Sequence, residues 1–166
     1  MRWSGTVYRA LNPYWAYRPL SGEGAAQFGG RFNRAGVPAL YTALSVETAL
    51  REVQQAGTFM PVTVVALEVE AERVLDATDP AALAAEGVTA EDLAQPDWAD
   101  EADRRGVARV QEIAARLAER HDAMRVRSFA PGAGPGDINL VLWRWDGRVR
   151  VIDDHRRLRY PPEPPE

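Results

Sequence analysis

Runs of hydrophobic and β-branched positions predict strands at both ends of this chain and one near its middle. Strands are expected over 5–10, 39–43, 60–70, 123–129 and 138–145. Within the third of these, residues 62–67 are almost continuously apolar, which is typical of a strand that is covered on both faces. The pattern therefore predicts a sheet in which 60–70 is a central strand.

Hydrophobic residues three and four positions apart predict helices between the strands. Ser45 is a suitable N-cap for the first helix, of about ten residues. The longest helix is expected over 101–121, and an Asp-Pro pair at 79–80 starts shorter helical turns within 76–98. Residues 11–30 contain two X-Pro pairs, which disfavour helix, so this segment is expected to be a loop.

The C-terminal part of the chain contains the strongest turn signal. An Asp-Gly pair at 146–147 predicts a tight hairpin that joins 140–145 to 148–152. The Pro-rich segment 156–166 is expected to be a loose tail, which leaves 1–155 as a single domain. Because strands and helices do not alternate regularly, the order of elements predicts an α+β fold and not a doubly wound parallel sheet.

Composition narrows the class of protein. The chain has 166 residues with 46% hydrophobic content, which fits one soluble domain. It contains no apolar run long enough to span a membrane and no signal-peptide pattern at its N-terminus, so we expect a cytoplasmic protein without a membrane partner. The absence of cysteine excludes disulfides and thiolate chemistry. Two histidines without metal-ligand spacing predict neither a metal site nor a prosthetic group.

Every basic residue of the chain is an arginine. The simplest explanation is the base composition of the genome. The absence of lysine nevertheless excludes Schiff-base chemistry and a phosphate-loop lysine. Residues 1–41 hold five arginines and one glutamate, although the net charge of the whole chain is −4. One basic end on an acidic protein favours a small anionic ligand over direct binding to a DNA duplex.

The segment 21–52 is the strongest candidate for chemistry. Its glycines let the backbone turn tightly and approach a ligand. A glycine-rich loop alone is a weak signal, but this one also carries Arg31 directly after a glycine pair, Tyr41 in a short apolar run, and Glu52 on the helix that follows. Taken singly, Glu52 is better explained as a solvated acid and Tyr41 as a core ring.

Several short motifs resemble one known family. They are Tyr8-Arg9, Ser21-Gly22-Glu23-Gly24-Ala25, Gly29-Gly30-Arg31-Phe32-Asn33 with Gly36 and Pro38, Tyr41-Thr42-Ala43, Ala49 with Glu52, Ser128, and Asn139-Leu140. This pattern resembles the RES-domain toxins, which are named for an arginine, a glutamate and a serine. The resemblance covers about 5–153. Phe32 stands where the family usually has tryptophan, and 143–145 departs from the usual Pro-containing sequence.

The resemblance implies a fold, an activity and a partner. Such toxins are similar to ADP-ribosyltransferases, with a mixed β-sheet core and flanking helices, and they consume NAD. They are paired with an antitoxin that carries a helix-turn-helix domain. The expected partner is therefore a cognate helix-turn-helix antitoxin that blocks the active site, and the expected substrate is NAD, with inorganic phosphate as a further candidate.

The chemistry of NAD cleavage assigns a role to each candidate residue. Breaking the bond between nicotinamide and ribose develops positive charge on the sugar, which a carboxylate stabilises. The expected catalytic residues are Arg31, Tyr41 and Glu52, and the Glu52 carboxylate is expected to bind the ribose hydroxyls and stabilise this charge. Arg31 and Arg9 are expected to bind the phosphates or the ribose, and Tyr41 to contact the nicotinamide. The substrate-binding set is completed by two residues that would orient these groups, Ser128 and Asn139.

Three interpretations remain open at this point. The chain could cleave NAD by hydrolysis or phosphorolysis, could modify a protein target as an ADP-ribosyltransferase, or could bind a nucleotide without turnover. Its basic end could also dock an acidic antitoxin segment. Arg18, Arg34 and the aromatic cluster of Tyr14, Trp15 and Tyr17 stay outside the catalytic set, and most of the cluster is expected to form a small satellite core.

Overall fold

The computed structural model describes residues 1–55 and 60–158. Within these ranges the strands are β1 Trp3–Leu11, β2 Leu40–Ala43, β3 Thr63–Ala71, β4 Val74–Asp76, β5 Ala123–Arg127, β6 Ile138–Leu142 and β7 Val149–Val151. The α-helices are α1 Glu23–Phe28, α2 Val46–Val53, α3 Pro80–Ala85, α4 Ala90–Ala94, α5 Trp98–Arg105 and α6 Arg109–Arg120. A short 3₁₀ helix covers Pro13–Trp15.

The seven described strands form one mixed sheet in the order β4-β5-β6-β2-β1-β3-β7. The pair β4 and β5 is parallel, and the other neighbours are antiparallel. Helices flank this sheet without regular alternation, so the predicted α+β class is confirmed.

Each face of the sheet carries its own core. On one face, Met124, Val126 and Val141 pack with helix α6 and with the α3–α5 region. On the other face, Val7, Leu67 and their neighbours pack under loop residues that include Trp145. In β5 and β6, strand residues therefore alternate between two buried environments, which determines on which side of the sheet each polar side chain lies.

The N-terminal connection contains more helix than the sequence predicted. Residues 11–30 were expected to be a loop, but they form the 3₁₀ helix and α1. The Asn-Pro pair at 12–13 starts the first of these, because the Asn12 side chain accepts from the backbone N–H of Tyr14 and proline occupies the first helical position. Glu23 stabilises the first turn of α1 and pairs with Arg18 at 2.8 Å.

The long helix predicted over 101–121 is two helices. Helix α5 ends at Arg105 and is capped by Gly106, whose φ of 82° is in the left-handed region that favours glycine. Helix α6 then begins at Arg109 and supplies the buried face expected of this segment. The predicted N-caps are confirmed, since Ser45 accepts from Thr48 N at the start of α2 and Asp79 accepts from Ala81 N at the start of α3.

Two predictions about the sheet were wrong. Strand β3 is not central: it lies next to the edge strand β7, and burial alternates along it, so only one face is covered. The Asp-Gly turn at 146–147 does not join a hairpin either, because β6 pairs with β2 and β5 whereas β7 pairs with β3. The turn redirects the chain to the other end of the sheet.

The aromatic cluster is not a satellite core. Tyr14 is 42% exposed and Trp15 is 53% exposed, and their rings meet edge to face at 5.2 Å. Most of the predicted C-terminal tail, 159–166, lies outside the described residues. In the two described parts of the chain, no helix combines the length and the apolarity that a membrane crossing requires.

Candidate functional site

A cavity of about 420 Å³ opens between helix α2 and the turn that carries Arg31, over strands β1, β2 and β6. Five of the six candidate residues lie in its wall, namely Arg9, Arg31, Tyr41, Glu52 and Asn139. The sixth, Ser128, contacts Glu52. Residues that are far apart in the sequence therefore meet at one site.

Glu52 lies in the last turn of α2, with its side chain partly buried. Its Oε1 accepts hydrogen bonds from Ser128 Oγ and, at 2.6 Å, from Asn139 Nδ2. Its Oε2 accepts from Gln55 Nε2. Donors on three different segments thus hold the carboxylate in one orientation at the cavity wall.

Ser128 and Asn139 reach Glu52 because of their positions in the sheet. Ser128 follows the last residue of β5 and also accepts from Ala130 N at 3.2 Å. Asn139 is the second residue of β6. Its amide nitrogen must face the carboxylate, since the amide oxygen would be repelled there. Among the described residues that oxygen, Asn139 Oδ1, has no hydrogen-bond partner.

Arg31 lies at the tip of a tight turn closed by Gly30 and Asn33, whose backbone groups bond at 2.9 and 3.3 Å. Its guanidinium donates to the carbonyl oxygens of Leu93 and Gln95, at 3.3 and 2.8 Å. It also lies 4.5 Å from the ring centroid of Phe129. In the described parts of the chain, its partners are neutral groups and not carboxylates.

The electrostatic environment of Arg31 has two opposing parts. Partial burial lowers the pKa of Arg31, and the negative charge of Glu52 acts in the opposite direction. The pKa of an arginine side chain ordinarily lies far above neutral pH, so the guanidinium of Arg31 stays charged. The cavity wall therefore carries the carboxylate-bearing Glu52 together with two arginines, Arg31 and Arg9.

Tyr41 braces the Arg31 turn. Its hydroxyl donates to Asn33 Oδ1 at 2.6 Å and accepts from Phe32 N at 3.0 Å. Gly30 has no room for a side chain, since a Cβ there would lie 2.6 Å from the Tyr41 hydroxyl. Burial raises the pKa of Tyr41, so the phenol stays neutral, and the residue lines the cavity.

Gln111 is a second brace that the sequence did not reveal. It lies on α6, is 3% exposed, and donates from Nε2 to the carbonyl oxygens of Gly30 and Asn33, at 2.9 and 3.1 Å. Its Oε1 accepts from Ala108 N at the helix start. The sequence feature that could have identified Gln111 is its position as a polar residue on the apolar face of a predicted helix.

Arg9 contributes to the cavity wall, but its guanidinium is engaged elsewhere. It donates to the carbonyl oxygens of Pro19 and Ser21, at 2.5 and 3.3 Å, and burial lowers the pKa of Arg9 to about 10. Its neighbour Tyr8 points to the opposite face of β1, the face shared with Asn139. Tyr8 is therefore a cavity residue that the candidate set lacked.

Three further aromatic residues line the cavity, namely Phe32, Trp98 and Phe129. Trp98 begins α5, at the end of the acidic segment for which no chemistry was predicted. Phe129 follows Ser128 and lies under the guanidinium of Arg31. An aromatic residue isolated among acids was the signal at Trp98, and the position after Ser128 was the signal at Phe129.

Comparison with known proteins finds similar curated proteins. Three curated relatives, each named NAD(+) phosphorylase MbcT, come from Mycobacterium bovis and from two strains of Mycobacterium tuberculosis. Each is 36% identical to this chain over 110 residues, which is 59% of this chain and 58% of the relative. The chain thus aligns with little more than half the length of these relatives.

The family assignment rests on a longer match. A model of the RES domain family matches residues 6–161, which is most of the chain and includes every residue of the site. The chain therefore belongs to the RES domain family.

Proposed function

We propose that this chain is a toxin that cleaves the bond between nicotinamide and ribose in NAD. The observation that carries the proposal is the fixed carboxylate of Glu52 in the wall of a cavity that also presents the Arg31 guanidinium. Membership of the RES domain family and the name of the mycobacterial relatives support it.

Glu52 is proposed to stabilise the charge that develops on the sugar. As the C–N bond breaks, its electron pair goes to the nicotinamide ring, which leaves as a neutral molecule, and the ribose carbon becomes cationic. A carboxylate that donors already orient needs no rearrangement to face this charge. Ser128 and Asn139 serve as those donors.

Arg31 is proposed to bind the pyrophosphate or the ribose of NAD. The partners of the Arg31 guanidinium are carbonyl oxygens and an aromatic ring, which do not neutralise its positive charge. An anionic ligand would therefore interact favourably with this charge. For Arg9, contact with the substrate requires that its guanidinium leave Pro19 and Ser21. Arg31 is therefore the stronger of the two candidates.

The nicotinamide is proposed to lie against the ring of Tyr41. The hydroxyl of Tyr41 is engaged with the Arg31 turn, which favours a stacking contact over proton transfer. The rings of Tyr8, Trp98 and Phe129 give the same cavity further aromatic surface.

The acceptor of the ribosyl group is proposed to be a small molecule. Water, inorganic phosphate and a protein side chain could each attack the cationic carbon, giving hydrolysis, phosphorolysis or ADP-ribosylation. In phosphorolysis a phosphate oxygen forms the new bond to the ribose carbon while the bond to nicotinamide breaks. The name of the relatives favours phosphate, and the basic N-terminal segment favours an anion.

The cellular context is proposed from the family. Unchecked cleavage would deplete the cell of NAD. We therefore propose a toxin–antitoxin system in which a helix-turn-helix antitoxin covers the cavity. An ADP-ribosyltransferase-like fold and a cytoplasmic location belong to the same proposal, and so does a single RES domain over 1–155.

The proposal is tested by adding NAD to the purified chain and measuring nicotinamide release by chromatography, with NAD binding measured separately by calorimetry. We expect nicotinamide to appear in proportion to enzyme and time. Saturable NAD binding without nicotinamide release would instead identify a nucleotide-binding module.

A further inference from the structure

The loop between β5 and β6 holds both protein donors to Glu52 Oε1 at its two ends. Ser128 immediately follows β5, and Asn139 is the second residue of β6. Glu52 itself belongs to helix α2, a different part of the chain. Its orientation therefore depends on how α2 is attached to this loop.

Asp137 makes that attachment. One oxygen of its carboxylate, Oδ1, accepts from Thr48 Oγ1 and from Arg51 Nη1, both at 2.6 Å. The other, Oδ2, accepts from Gly134 N at 2.8 Å. Hydrogen bonds from Thr48 and Gly134, together with the charge of Arg51, lower the pKa of Asp137, so it is ionised at neutral pH.

The two α2 contacts lie beside Glu52. Arg51 directly precedes it, and Thr48 is four residues earlier on the same side of the helix. Thr48 is 1% exposed, and its hydroxyl also meets the N-cap Ser45 at 2.8 Å. The backbone carbonyl of Asp137 accepts from Ser128 N at 2.8 Å, so one residue contacts both α2 and the serine.

We propose that Asp137 is a positioning residue that fastens α2 to the β5–β6 loop and thereby holds Glu52 against Ser128 and Asn139. The fastening follows from the contacts alone, whereas its effect on turnover rests on the proposed NAD cleavage. Asp137 lies outside the cavity wall, so it acts on the substrate only through Glu52.

The first test measures nicotinamide release by Asp137→Ala and Asp137→Asn. Displacement of a catalytic group by about 1 Å can cost on the order of 10²-fold in rate. We expect Asp137→Ala to lower kcat about 10- to 100-fold with KM for NAD changed less than about threefold. Asp137→Asn keeps one acceptor oxygen and should recover part of that loss.

A double-mutant cycle separates positioning from general damage. In the Glu52→Gln background, Asp137→Ala should lower kcat less than about twofold further, because the group it positions is already disabled. Asp122→Ala is the matched control: it removes a carboxylate bonded to Arg73 at 2.6 Å, but at the other end of β5. It should leave kcat within about twofold of wild type.

A second measurement tests the attachment of α2 to the β5–β6 loop without relying on enzyme activity. Amide hydrogen exchange over α2, Val46–Val53, should be faster in Asp137→Ala than in Asp122→Ala. If the wild type releases no nicotinamide, the proposed function fails. The amide hydrogen exchange of α2 then still tests whether Asp137 attaches this helix to the β5–β6 loop. Unchanged exchange over α2, or an equal loss of kcat with and without Glu52, would overturn the role of Asp137.

Discussion

Replacing Glu52 by glutamine removes one charge from the site while keeping the shape of the side chain. The amide oxygen of glutamine can take the place of Oε1 and accept from Ser128 and Asn139. The amide nitrogen then occupies the position of Oε2, next to Gln55. Since the packing is preserved, the substitution tests the charge and not the space that Glu52 fills.

The expected loss of activity is much larger than the expected loss of stability. Removing one preorganised electrostatic group costs about 10²- to 10³-fold in rate, or about 2.7–4 kcal/mol of transition-state stabilisation. Making a charge-assisted hydrogen bond neutral costs about 1 kcal/mol of folding free energy. For a domain of this size that is about 2–4 °C in Tm, so the variant stays folded at 25 °C.

The assay compares nicotinamide release by wild type and Glu52→Gln under saturating NAD, with Tm measured for both. Glu47→Gln, an exposed acid on the same helix, is the control and should retain wild-type kcat. A Glu52→Gln rate within about threefold of wild type would refute the reasoning, since removing a preorganised electrostatic group typically costs about 10²-fold or more in rate.

Arg31→Ala should weaken NAD binding by roughly 1–3 kcal/mol, because a charge-assisted bond is lost, and unchanged affinity in calorimetry would show that the guanidinium does not meet the substrate. Gly30→Ala should destabilise the fold by about 1–3 kcal/mol in urea unfolding, since the new Cβ would lie 2.6 Å from the Tyr41 hydroxyl. Gly24→Ala, with nothing within 4 Å, is its control and should leave stability at or above wild type. The arginine partner of Asp122 lowers the pKa of that carboxyl, so its contribution to stability is complete above about pH 4 and is lost as pH falls below. Urea unfolding at pH 2.5–6 should therefore show a weaker acid dependence for Asp122→Asn, and an identical dependence would contradict the assignment.

The elements that local sequence determines were predicted well. Ser45 is the N-cap of α2, as its position before an apolar stripe indicated. An N-cap is a bond between a side chain and a backbone group two or three residues away, so it can be read from neighbouring residues. The same holds for the start of α3.

The failures concern partners that are distant in the sequence. The turn at 146–147 was taken for a hairpin because its local chemistry is suitable, but which strands pair is decided by packing across the whole sheet. The apolar run within β3 suggested burial on both faces, and the sheet instead leaves one face of this strand open. Neither outcome is encoded within a window of ten residues.

In the site, too, the residues within one stretch of sequence were predicted, whereas some of those contributed by distant segments were missed. Sequence reasoning collected Arg31, Tyr41 and Glu52, and the structure brings them to one cavity. It missed Gln111, because the bonds of this glutamine to the Arg31 turn span about eighty residues. It also missed Trp98, which reaches the cavity only because helix α5 packs beside the turn.

The mass of the ribose-bearing product tests the central claim most directly. The wild-type chain is incubated with NAD and inorganic phosphate, and the products are identified by mass spectrometry. The account predicts nicotinamide together with ADP-ribose carrying a phosphate at the former nicotinamide position, or ADP-ribose itself when phosphate is omitted. Intact NAD, or cleavage at the pyrophosphate to give nicotinamide mononucleotide and AMP, would contradict it.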